Sequence, residues 1–147
     1  PSILILDEPT AGLDPKERIR FSNIISDMGK EKIVLLSTHI VSDIEAIASE
    51  LVVIKKGKVL ETGNVDNLVQ TVKGQVLETV VSQETCQELR KARSVIRLKQ
   101  MGKEVQVRFV GEKYPDIENN QAEPTLEDYY MFTSGITNEG GIRDEKE

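Results

Sequence analysis

The chain is poor in the residues that fix several common kinds of function. Cys86 is its only cysteine and His39 its only histidine among 147 residues. One thiol forms no internal disulfide, and one Cys with one His falls short of the four ligands of a structural zinc site. A reducing, intracellular setting is therefore expected. Positive charge is not in excess: 19 basic against 25 acidic residues leave a net charge of −6, without the strongly basic footprint of a nucleic-acid binder. The one basic cluster, Arg90, Lys91, Arg93, Arg97 and Lys99, reads as a solvated face, and no nucleic-acid partner is expected. No apolar run approaches the roughly 18 residues that a membrane span needs, and no secretory leader is visible. Pro1 rather than Met opens the chain and leads straight into an apolar run, from which we expect a segment of a larger protein.

What is present is organised as short apolar runs separated by helical patterns. Ile3-Leu4-Ile5-Leu6 and Ile33-Val34-Leu35-Leu36 suit strands buried on both faces of a parallel sheet. Between them, Asp14-Pro15-Lys16-Glu17 reads as a helix start with a capping box. Phe21, Ile24, Ile25 and Met28 then recur at the spacing of one helical face, and Gly29 suits the end. This is a βαβ unit, whose two strands end on the same sheet edge. Residues just after Leu6 and just after Leu36 can therefore meet. Ser42-Asp43-Ile44-Glu45 reads as a second capping box. Leu51–Lys55 and Lys58–Thr62 flank Lys56-Gly57 as a hairpin, and Asn64–Thr71 reads as a short helix.

After Lys73-Gly74 the pattern changes. Strands are expected at 76–81, 95–98 and 105–110, the last two a hairpin around Met101-Gly102, with a helix at 84–92. Pro124-Thr125 opens a final helix with Leu126, Tyr129 and Tyr130 on one face. From residue 134 large apolar residues nearly vanish, and a disordered tail, 134–147, is expected.

Asp7-Glu8 stands at the tip of the first apolar run. A carboxylate pair there is costly unless something uses it. In phosphoryl transfer one strand-end acid holds Mg²⁺ while a neighbour orients or deprotonates the nucleophile. Adjacent residues of an extended backbone point opposite ways, so Asp7 would face the metal and Glu8 the water. The plainer reading is two solvated turn acids before Pro9. His39, after Ser37-Thr38, ends the second run beside them; a lone histidine is commonly structural, yet imidazole also suits a phosphate contact. Asp14 caps the first helix.

The stretch Ile3-Leu4-Ile5-Leu6-Asp7-Glu8-Pro9-Thr10-Ala11-Gly12-Leu13-Asp14-Pro15 resembles the Walker B motif and D-loop of ABC-type ATPases, and His39 falls where that family has its H-loop switch histidine. The resemblance covers residues 2 to about 70; the hairpin favours transporter-type members. Pro124-Thr125-Leu126-Glu127-Asp128-Tyr129 resembles the C-terminal stretch of exporters of the ABC-2 group, and otherwise is a good capping box. The resemblance implies an α/β fold: part of a P-loop NTPase parallel sheet over 1–73, the C-terminal half of the ATPase domain, then a small α+β appendage over 75–133. It implies ATP and Mg²⁺ as ligands, with Glu8 and His39 catalytic, Asp7 holding Mg²⁺ through water, and Asp14 at a subunit interface. Implied partners are the N-terminal half of the same domain, a second ATPase subunit and a membrane permease, placing the protein in the cytoplasm, peripheral to the membrane.

Missing from the chain are the family's Leu-Ser-Gly-Gly-Gln signature, a placeable Q-loop, and the Gly-x₄-Gly-Lys-Ser/Thr loop whose amides cradle phosphate. The Gly-Lys pairs at 29, 57 and 102 are followed by Glu31, Val59 and Glu104. The chain alone is accordingly expected to be inactive. Two other functions compete: a DNA-repair or chromosome-organising ATPase, which shares these motifs but leads into long coiled coils, and a regulatory or dimerisation module without activity of its own.

Overall fold

The computed structural model describes residues 2–135. They fall into two compact units, one up to Glu50 and one from Leu51, whereas the sequence changes pattern only after Lys73-Gly74. Both are mixtures of helix and strand. No helix among the described residues is long and apolar enough to cross a membrane.

In the first unit, β1 (Ile3–Asp7) and β2 (Ile33–Ser37) pair in parallel, Ile3 opposite Ile33 through Asp7 opposite Ser37. Between them runs α1 (Pro15–Met28). Asp14 caps it, its Oδ1 accepting from the Glu17 amide at 2.9 Å, and Pro15 takes the first turn, where no amide is needed. Ile25 is buried, but Ile24 faces outward.

The strands are not buried on both faces, contrary to their continuous apolar sequence. Leu4, Leu6, Val34 and Leu36 are half-buried on one face, while Ile3, Ile5, Ile33 and Leu35 are 57–70% exposed on the other. Strand period dictates this split: alternate side chains leave opposite faces, and only one is covered. α2 (Val41–Ile44) starts at Ile40 with no side-chain cap. The capping box read from Ser42 does not form, because Ser42 and Asp43 already lie inside the helix.

The second unit opens with a hairpin, β3 (Glu50–Lys55) and β4 (Lys58–Asn64). Lys56 and Gly57 both take positive φ, at 50° and 74°, the turn whose twist matches the strands. Then α3 (Val65–Gln70) is capped by Asn64. A four-stranded antiparallel sheet follows, ordered β6-β7-β5-β8, from β5 (Val76–Ser82), β6 (Ser94–Met101), β7 (Glu104–Val110) and β8 (Asn120–Gln121).

Alternation along β5 and β7 assigns the two faces. Leu77, Val81, Val105, Val107 and Phe109 pack with Val95 under α4 (Gln83–Ala92), which contributes Cys86 and Leu89. On the opposite face lies α5 (Leu126–Ser134). Its Thr125–Asp128 capping box forms in both directions, and Gly135 ends it in the left-handed conformation. There Arg108 donates to Asp128 at 2.5 and 3.0 Å and to Glu78 at 2.7 Å. These charges hold the guanidinium above its ordinary pKa against the opposing pull of burial. The expected disordered tail is corrected at its start: Ser134 closes α5, and 136–147 lie outside the described residues.

Candidate functional site

The tips of β1 and β2 meet as parallel pairing requires. Asp7, the last residue of β1, accepts from Ser37 Oγ at 2.5 Å. The chain then leaves the sheet abruptly: the Glu8 amide still bonds to the Ser37 carbonyl at 2.8 Å, but Glu8 takes φ 46°. A non-glycine residue in this left-handed region costs on the order of 1–3 kcal/mol. The expectation that Asp7 and Glu8 diverge because both are extended is thus corrected. Glu8 is turned by its own backbone, and its carboxylate swings to the segment after β2.

There it is surrounded by donors. Glu8 Oε1 accepts from the His39 amide at 3.0 Å and lies 2.8 Å from His39 Nδ1, and Thr38 Oγ1 donates to Oε2 at 3.3 Å. The His39 ring holds the Glu8 carboxyl below its ordinary value, helped by Thr38 and the His39 amide; desolvation opposes them. Because a carboxylate accepts, Nδ1 carries the proton of this bond. Nε2 remains on a side chain that is 77% exposed, available to an incoming group. A proton acceptor and a proton-bearing ring are therefore paired at one solvent-facing sheet tip.

Asp14 is placed differently. It is exposed, caps α1, and is not among the groups that meet at Glu8. Asp7 is exposed as well. Among the described residues no group of three or more His, Cys, Asp or Glu could cage a metal. Asp7 with the Ser37 hydroxyl offers a sparse oxygen set. Such a set suits Mg²⁺, which keeps several waters and takes most of its ligands from phosphate.

Three residues in this neighbourhood were not read as functional from the sequence. Thr10 Oγ1 donates to Asp43 Oδ2 at 2.7 Å, and Arg18 Nη1 donates to the same carboxylate at 2.8 and 3.1 Å. Asp43 was read as part of a local capping box. Its long-range role left no local signal, because its partners stand 25 and 33 residues away.

Comparison with known proteins agrees with the motif. No family model matches the chain. It is 40% identical over 65 residues, 43% of its length, to the energy-coupling factor transporter ATP-binding protein EcfA2 of Enterococcus faecalis. It is 36% identical over 70 residues, 48% of its length, to the uncharacterized ABC transporter ATP-binding protein YxlF of Bacillus subtilis. It is also 36% identical over 64 residues, 44% of its length, to ABC transporter A family member 8 of Dictyostelium discoideum. The matched stretches span only 22%, 24% and 8% of those relatives.

Proposed function

We propose, from the premise that this chain carries part of an ABC transporter ATP-binding domain, that it completes the hydrolytic half of an ATP site that powers transport through a membrane permease. The observation that carries this reading is the left-handed Glu8 with its carboxylate 2.8 Å from His39 Nδ1. The turn at Glu8 brings the acid that follows β1 to the single histidine, pairing a proton acceptor with an imidazole at one sheet tip.

In this reading Glu8 is the acceptor that orients the attacking water and takes its proton. His39 faces the transferring phosphoryl group, held through Nδ1; when its ring carries a proton on both nitrogens, Nε2 donates to the charge that develops there. Asp7 holds Mg²⁺ through water; when bound, Mg²⁺ supplies charge neutralisation at the phosphates. Asp14, at the far end of the same loop, meets a second ATPase subunit. The remaining partners are the N-terminal half of the same domain and the permease. The protein works in the cytoplasm, peripheral to the membrane.

Without a phosphate-cradling loop, this chain by itself binds ATP weakly and does not turn it over. The test is Glu8→Gln in the ATPase that contains this chain. Turnover is lost while Mg-ATP binding is kept, read by single-turnover hydrolysis and calorimetry. Retained turnover removes Glu8 as the base.

A further inference from the structure

Two segments carry the candidate site: the loop after β1, residues 8–14, and the segment after β2, residues 38–44. Their direct link at the site, Glu8 to His39, is poorly placed to hold them together. His39 is 77% exposed, so their contact is open to water and weakly held. A second link lies behind it. The Asp43 side chain is only 12% exposed. It accepts from Thr10 Oγ1 at 2.7 Å and from Arg18 Nη1 at 2.8 and 3.1 Å. Arg18 in turn donates from Nε to the Leu13 carbonyl at 3.1 Å. One guanidinium therefore grips the loop after β1 and the helix after β2 together.

Thr10 is buried to 3% exposure, so its hydroxyl depends on Asp43, and an unmade bond there costs the desolvation of both groups. The four residues of α2, with no side-chain cap, are too few to be stable as a helix on their own. Asp43 supplies what the local sequence does not, a tertiary anchor. Thr10 lies two residues from Glu8, and Asp43 four from His39, so the clamp joins the same two segments as the exposed contact.

We propose that Asp43, clamped by Thr10 and Arg18, is a positioning residue that sets the spacing of Glu8 and His39 and carries movement of the Asp14-bearing loop to His39. The proposal rests on the ATPase reading above. Asp43 touches no reacting group; its effect is on kcat through geometry, where small misplacements cost on the order of 10–100-fold.

The experiment uses the complete ATPase that contains this chain. Asp43→Asn keeps an oxygen for Thr10 but removes the charge that Arg18 grips. Thr10→Val removes only the hydroxyl and guards against a folding failure of the first variant. Each lowers kcat about 10–100-fold with KM for ATP changed less than about threefold. In a His39→Ala background neither lowers the residual rate further, because both act through His39. Hydrogen exchange in Thr10→Val rises in 8–14 and 38–44 together. Wild-type kcat in both variants, losses that multiply with His39→Ala, or faster exchange confined to one segment overturns the proposal. Glu8→Gln separates the two levels: if it abolishes turnover while Asp43→Asn and Thr10→Val keep the wild-type kcat, the clamp alone is wrong. If Glu8→Gln retains turnover, the ATPase reading falls and takes the clamp with it.

Discussion

The two units reach stability by opposite means. Among the described residues up to Glu50 the only buried apolar side chain is Ile25, and Ile3, Ile5, Ile33 and Leu35 stand exposed. Beside the half-buried face of Leu4, Leu6, Val34 and Leu36, polar contacts tie that unit together: strand pairing, the cap at Asp14, and the Asp43 clamp. From Leu51 onward the balance reverses. Val76, Leu89, Val95, Val105, Val107 and Phe109 have almost no exposure, and the Arg108 cluster brings charge inside with its partners. The groups proposed to act on a substrate, Glu8 and His39, lie where burial is least, as residues reached by a ligand on loops commonly do.

The largest expected effect tests the core-rich side. Asp128 is fully buried and Arg108 nearly so. Arg108→Ala strands an unpaired carboxylate and lowers the unfolding free energy of the second unit by about 3–5 kcal/mol. Urea denaturation followed by circular dichroism reads this, with hydrogen exchange in residues 76–110 assigning the loss to that unit. A change below about 1 kcal/mol would show that α5 is held by its apolar face alone.

A matched pair of truncations sharpens the contrast. Val107→Ala removes methyl groups from a fully buried site and costs about 2 kcal/mol. Leu35→Ala, at a side chain 60% exposed, stays within about 0.5 kcal/mol. Equal costs would mean that the outer face of β1 and β2 is covered in solution. Between these lies Asp14→Ala, which deletes the bond to the Glu17 amide and costs the first unit about 1 kcal/mol. Exchange of the α1 amides measures it.

Much of this contrast was legible in the sequence, but unevenly. The apolar runs at 3–6 and 33–36 announce two strands, and the helical stripe between them dictates parallel pairing. From that alone follows the meeting of Glu8 with His39. Not legible was which strand face is covered, because an unbroken apolar run carries no alternation to mark it. Nor was the left-handed turn at Glu8, which no local residue preference demands. Asp43 was misread because its residue type suits a cap, and only folding shows the carboxylate spent on Arg18 and Thr10. Asn120–Gln121 carries no strand signal, since two residues have no period and their pairing with Leu77 and Glu78 is set by the neighbouring strand. The second unit was clearer: alternation in β5 and β7 and the Thr125–Asp128 box are local signals, and the structure keeps them.

The smallest effect concerns the site itself and is one of titration. The His39 ring bond, seconded by the Thr38 hydroxyl and the His39 amide, lowers the Glu8 pKa in the folded chain, while desolvation works the other way. A group whose pKa is lower folded than unfolded binds its proton less readily in the native state. Its contribution is therefore present above the ordinary glutamate range and fades as pH falls through the lowered value. Carbon-13 NMR of the Glu8 carboxyl across acidic pH measures this directly, with a midpoint below that of an unperturbed glutamate. In His39→Ala the midpoint moves back up, because the largest lowering cause is gone and desolvation remains. A wild-type midpoint at or above the ordinary value would mean that the Glu8–His39 bond does not persist in solution, and the polar side of the comparison would then rest on the Asp43 clamp rather than on the contact at the site.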